Sequence, residues 1–160
     1  MKKIELISSF TVYPELNQLP TDVMKLMSKA IEIRKKAYAP YSKFKVGAAI
    51  LLDNNEVIVG SNQENAAYPS GLCAERVAIF QAGTLYPSNE ILKIAISATS
   101  DSKPVNAPIP PCGACRQSIA EYEIKQKTPI EIYFMGEYGE IYKSDSLSNL
   151  LPLGFDKKYL

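Results

Sequence analysis

Histidine and tryptophan are both missing from this chain, and cysteine is scarce, with three residues in 160. An odd cysteine count in a chain expected to stay in a reducing compartment argues against a disulfide framework. Without histidine, a closed structural zinc site of four Cys and His ligands cannot be assembled within one subunit. Long apolar runs are missing too. No stretch approaches the roughly 18 to 20 residues needed to span a bilayer, and Glu5, Ser8 and Ser9 interrupt the apolar residues near the N-terminus, leaving no signal-peptide core. The expectation is a soluble, cytoplasmic protein with no membrane partner. Charge of one sign is not in excess either, since 18 Lys plus Arg against 17 Asp plus Glu give +1. The basic clusters Lys2-Lys3, Arg34-Lys35-Lys36 and Lys157-Lys158 are short and scattered, and read as solvated helix ends or termini. With no basic, aromatic channel for a strand to stack on or track, no nucleic-acid partner is expected.

What the chain does have is enough apolar content, 46%, for one domain with a real core. Residues 1–20 hold one candidate β segment, Ile4 to Val12, followed by a Pro-containing connector, and read as an N-terminal arm or edge strand. Residues 21–160 then form a single domain. Thr21 and Asp22 are good helix-capping types, and Val23, Leu26, Met27, Ala30 and Ile31 recur at helical spacing up to about Arg34. Lys45 to Leu52 and Val57 to Ser61 flank the polar turn Asp53-Asn54-Asn55, which suits a hairpin. Further strands are expected at Ile91 to Thr99, Pro129 to Met135 and Glu140 to Lys143, with helices over Cys73 to Ala82 and Cys112 to Tyr122. The order predicts an α/β fold, a three-layer α/β/α sandwich around a mixed five-stranded sheet. The five residues Met135 to Gly139 are too few for a parallel crossover, so the last two strands must be antiparallel.

All three cysteines fall where a helix is expected to begin. Cys112 and Cys115 are three apart, so both sulfurs can face one point from the first turn of a helix, and Cys73 arrives from another helix start. Helix N-termini favour thiolate over thiol, and therefore metal binding. Three protein ligands leave a fourth position for water, the arrangement of a catalytic zinc, unless a carboxylate or a second subunit closes the shell. Glu75 lies two residues after Cys73. In a regular helix the two would point to nearly opposite sides, so Cys73 must sit at the cap if both face one water. On its own, Glu75 would read as a first-turn carboxylate complementing the helix dipole.

Cys73-Ala74-Glu75 followed by Pro111-Cys112-Gly113-Ala114-Cys115 resembles the Cys/His-x-Glu and Pro-Cys-x-x-Cys signature of zinc nucleobase and nucleoside deaminases. Cysteine in first position is similar to the free-nucleoside cytidine deaminases that assemble as homotetramers. Tyr38 to Ala49, Asn62 to Pro69 and Leu150 to Phe155 resemble other segments of that family, whereas Gln63 departs from an expected apolar residue and residues 1–20 fall outside the match. The resemblance implies one Zn²⁺ per subunit on Cys73, Cys112 and Cys115, with Glu75 as the proton carrier. It implies that Asn62 and Glu64 bind the sugar hydroxyls, that Phe44 packs against the nucleoside, and that the Ala74 backbone contacts the pyrimidine. Tyr68 and Phe155 look like residues that complete a neighbouring subunit's pocket. Arg76 and Arg116 are candidates to donate to the sulfurs, offsetting the net −1 charge of three thiolates on Zn²⁺. The implied reaction is hydrolytic deamination of cytidine and deoxycytidine to uridine and deoxyuridine with release of ammonia, a step of pyrimidine salvage. The alternatives are a same-fold deaminase of a nucleoside-like antibiotic or other aminopyrimidine, and a non-enzymatic structural zinc module.

Overall fold

The computed structural model describes residues 1–160. In chain order it contains β1 (Thr11–Tyr13), α1 (Thr21–Arg34), β2 (Phe44–Leu52), β3 (Val57–Ser61), α2 (Ala74–Leu85), β4 (Ile91–Ser100), α3 (Gly113–Gln126), β5 (Glu131–Met135) and β6 (Ile141–Ser144). Side chains alternate between the two faces of a strand, and here each face finds its own helical cover. Ala48, Ile50 and Leu52 of β2, Ile94 and Ile96 of β4, and Ile132 and Phe134 of β5 pack with Ala78, Ile79 and Ala82 of α2 and Ile119 of α3. The intervening Ala49, Ala95, Tyr133 and Met135 pack on the other face against Val23, Leu26, Met27 and Ala30 of α1. The result is the expected three-layer sandwich. Ile50 and Ile96 are at most 1% exposed, and full burial of such a side chain contributes about 1.5–3 kcal/mol.

The sheet has six strands, in the order β1-β6-β5-β4-β2-β3, rather than five. The extra strand comes from the N-terminal arm, where Thr11–Tyr13 pairs antiparallel with Lys143, Tyr142 and Ile141 and covers the β6 edge. The strand expected from Ile4 to Val12 is reduced to this short piece, because residues 1–10 have no partner strand to complete a ladder and are exposed. At α1 the cap residue is Pro20; Thr21 is already helical, and Asp22 in the first turn is held instead by Lys93 Nζ at 2.6 Å. The sheet is mixed as expected, with β4 and β5 parallel and β5 and β6 antiparallel.

One consequence of this topology creates the site. β3 is antiparallel to β2, and β2 is antiparallel to β4, so β3 and β4 run in the same direction. The helices that follow them, α2 and α3, therefore begin at the same end of the sheet. Gly60 in β3 allows α2 to approach closely there: a Cβ at that position would lie 2.7 Å from the Ala78 nitrogen.

Candidate active site

Cys73 is the N-cap residue of α2 (φ −72°, ψ 154°) and Cys112 that of α3 (φ −67°, ψ 169°), both with extended backbone. A cap residue lies off the helical spiral, so Cys73 and Glu75 serve one locus despite being two apart. Cys115 comes from the first turn of α3 and is buried. The Cys73 and Cys112 sulfurs are 3.8 Å apart, those of Cys112 and Cys115 3.5 Å, and all three lie within 4.8 Å of one another. Tetrahedral zinc with Zn–S distances near 2.3 Å spaces its sulfurs by about 3.8 Å. The three thiols therefore fit one zinc ion, with one tetrahedral position left for a non-protein ligand.

Charge is arranged around this triad. The Cys73 thiol is drawn down to about 5, chiefly by a hydrogen bond with the Cys115 thiol and further by the Arg76 guanidinium. The same bond, together with burial, pushes Cys115 up. Arg76 also lies beside the Cys115 sulfur, and its Nε is buried without a hydrogen-bond partner. Glu75 is 5% exposed, and burial, reinforced by the negative charge on Cys73, raises its carboxyl to about 7. A carboxyl so placed can both take and return a proton near neutral pH. Ala74, between them, is fully buried at the start of α2.

A groove of about 560 Å³ opens beside Cys73 and Arg76, lined also by Tyr41, Ser42, Asn62 and Glu64. Asn62 Oδ1 accepts from the Val46 N–H at 2.8 Å, and its Nδ2 donates to the Phe44 carbonyl at 2.9 Å, leaving one amide hydrogen uncommitted. The carboxylate of Glu64 accepts from the backbone N–H groups of Tyr41 and Ser42, at 2.9 and 3.3 Å, and from the Ser42 hydroxyl, which holds it below the usual carboxylate range. Gln63, at the departure from the family pattern, is exposed and pairs through its backbone with Leu72, linking the Asn62–Glu64 segment to the chain that enters Cys73. Phe44 is half-buried next to Asn62.

Tyr68 lines the same groove, 77% exposed and with its ring centroid 6.2 Å from that of Tyr41. Phe155 does not line it; the ring is 57% exposed and stacks on Tyr159. Arg116 departs from the expectation that it donates to sulfur. Its Nε and one terminal nitrogen donate to the carbonyls of Pro111 and Leu150, both at 2.8 Å, so it anchors the turn that presents Cys112. Tyr41 and Ser42, by contrast, carry no role in the sequence reading, although they lie within a recognised segment. Their contribution is two backbone N–H groups, which no side-chain pattern reveals, and the Ser42 hydroxyl, whose partner lies 22 residues away.

Residues 20–129 match the model of the cytidine and deoxycytidylate deaminase zinc-binding region. The chain is 41% identical over 134 residues to a cytidine deaminase of Halalkalibacterium halodurans, covering 84% of this chain and 94% of that protein. It is 38% identical over 140 residues to the cytidine deaminase of Sporosarcina psychrophila, covering 87% and 95%. The crystal structure of cytidine deaminase from Burkholderia pseudomallei superimposes with a TM-score of 0.70 at 36% identity, covering 86% of this chain and all of that one. The three-thiol centre and its buried carboxylate are thus those of a protein that belongs to the cytidine and deoxycytidylate deaminase zinc-binding family.

Proposed function

We propose that this protein catalyses the zinc-dependent hydrolytic deamination of cytidine and deoxycytidine, giving uridine or deoxyuridine and ammonia. The observation that carries the proposal is the convergence of three sulfurs within 4.8 Å on a locus that also holds a carboxyl buried to 5% exposure. Cys73, Cys112 and Cys115 hold one Zn²⁺, which when bound supplies the Lewis acidity that makes water nucleophilic at neutral pH. Glu75 takes a proton from the attacking water and delivers it to N3 as the water oxygen adds at C4. Glu75 then passes the second proton to the amino nitrogen, which leaves as ammonia, so that one water is consumed for each ammonia released. Arg76 offsets the negative charge of the thiolates from the Cys73 side.

Asn62 and Glu64 recognise the sugar, Asn62 through its uncommitted amide hydrogen and Glu64 as an acceptor. Phe44 packs against the nucleoside, and the backbone of Ala74 meets the pyrimidine at the start of α2. Tyr68 and Phe155, aromatic and more than half exposed, complete a neighbouring subunit's pocket in a homotetramer. The substrate is a free nucleoside, and the reaction belongs to cytoplasmic pyrimidine salvage. Purified protein should convert cytidine and deoxycytidine in a spectrophotometric assay, with equimolar ammonia. Turnover confined to some other aminopyrimidine would overturn the substrate assignment.

A further inference from the structure

Glu64, partly buried at the wall of the groove, is held by one short loop. Tyr38 donates to the Asn62 carbonyl at 3.0 Å and accepts from the Glu64 N–H at 2.8 Å, closing the loop onto the Asn62–Glu64 segment. Lys43 adopts φ 58°, in the left-handed region that non-glycine residues seldom occupy, as the chain turns into β2. The turn brings the Tyr41 and Ser42 N–H groups onto Glu64 Oε2, while the Ser42 hydroxyl donates to Oε1. The same hydroxyl oxygen accepts the Phe44 N–H at 3.0 Å. A hydroxyl that accepts there directs its single proton elsewhere, in this case onto Glu64. Two donors on one oxygen and one on the other fix the plane of the carboxylate. Of its roughly four acceptor sites, one on Oε1 is left for a ligand.

We propose that Ser42 is a positioning residue for sugar recognition, acting through Glu64 by fixing the plane and charge of its carboxylate. The inference rests on the deaminase reading given above. Without the Ser42 hydroxyl, Oε1 loses its only fixed donor and the carboxylate pivots about the two backbone bonds to Oε2. Ground-state and transition-state binding of the sugar then fall together, while the zinc locus and Glu75 are untouched.

The test is steady-state kinetics on cytidine with zinc content measured on the same samples, for the parent, Ser42→Ala, Ser42→Thr, Glu64→Gln and the Ser42→Ala/Glu64→Gln double variant. Ser42→Ala should raise KM roughly tenfold, the scale of one hydrogen bond to a charged group, with kcat within about twofold and zinc unchanged. Ser42→Thr, which keeps the hydroxyl, should restore KM. In the double variant the Ser42 change should add little to the Glu64 change, since the two act through one carboxylate. An unchanged KM in Ser42→Ala, full additivity in the double variant, or a loss confined to kcat would overturn the role of Ser42 while leaving the deaminase reading intact. Zinc-loaded parent protein without turnover would overturn that reading, and this inference with it.

Discussion

Glu75→Gln keeps the side chain's size and hydrogen-bonding reach and removes its ability to take and return a proton. The parent carboxyl is 5% exposed, and burial raises it to about 7, so it is poised to exchange protons in both directions. General acid–base catalysis is worth about 10² to 10⁴ in rate, or about 3 to 5 kcal/mol of barrier at 1.36 kcal/mol per factor of ten. Glu75 serves at least two successive transfers, so kcat should fall by about 10⁴ or more. Stability should move the other way or not at all, because an amide is less costly to bury than an ionised carboxylate. If Glu75 only complemented the dipole at the start of α2, the variant would instead lose about 0.3–1 kcal/mol of stability and keep its turnover. Zinc content, Tm and kcat measured on one sample separate the two accounts. Retained turnover with a lowered Tm would refute the assignment of Glu75 as proton carrier.

Three further outcomes follow from the geometry. Cys112→Ala should bind well below one zinc per chain by metal analysis and lose activity with it, since only two sulfurs remain at the locus. If Glu64 recognises the sugar as proposed, Glu64→Gln should raise KM for nucleosides by about tenfold or more with zinc content unchanged, since Glu64 is not one of the three sulfur ligands. Arg116→Ala removes the two bonds to the Pro111 and Leu150 carbonyls. It should cost about 1.5 kcal/mol in thermal or denaturant unfolding and weaken zinc retention against a chelator by about tenfold, through the loosened turn before Cys112.

The parts of this protein that were legible in the sequence are those governed by local spacing. The three-residue interval of Cys112 and Cys115, the two-residue interval of Cys73 and Glu75 and the apolar period of α1 each translate directly into geometry, and the lack of histidine narrows the donor set to three sulfurs. Contacts between distant segments were not legible. An edge strand in the N-terminal arm is expected from Ile4 to Val12, but its true extent, Thr11–Tyr13, and its partner were not legible, because both are set by the edge that β6 offers about 130 residues later in the chain. Arg116 lies next to Cys115 in sequence, yet one of its two acceptors is the Leu150 carbonyl, 34 residues away. Two of the three donors that clamp Glu64 are backbone N–H groups of Tyr41 and Ser42, which almost any residue other than proline would supply, and the third, the Ser42 hydroxyl, gains its meaning only from a partner 22 residues away.

The central claim is that the Cys73, Cys112 and Cys115 centre and its zinc are responsible for nucleoside deamination. It is tested most directly by removing zinc with a chelator and restoring it in steps, measuring bound zinc and ammonia released from cytidine on the same samples. Ammonia release should vanish with the metal and return in proportion to zinc, reaching its full value at one zinc per chain. Full ammonia release from metal-free protein, or none from protein carrying one zinc per chain, would contradict the account.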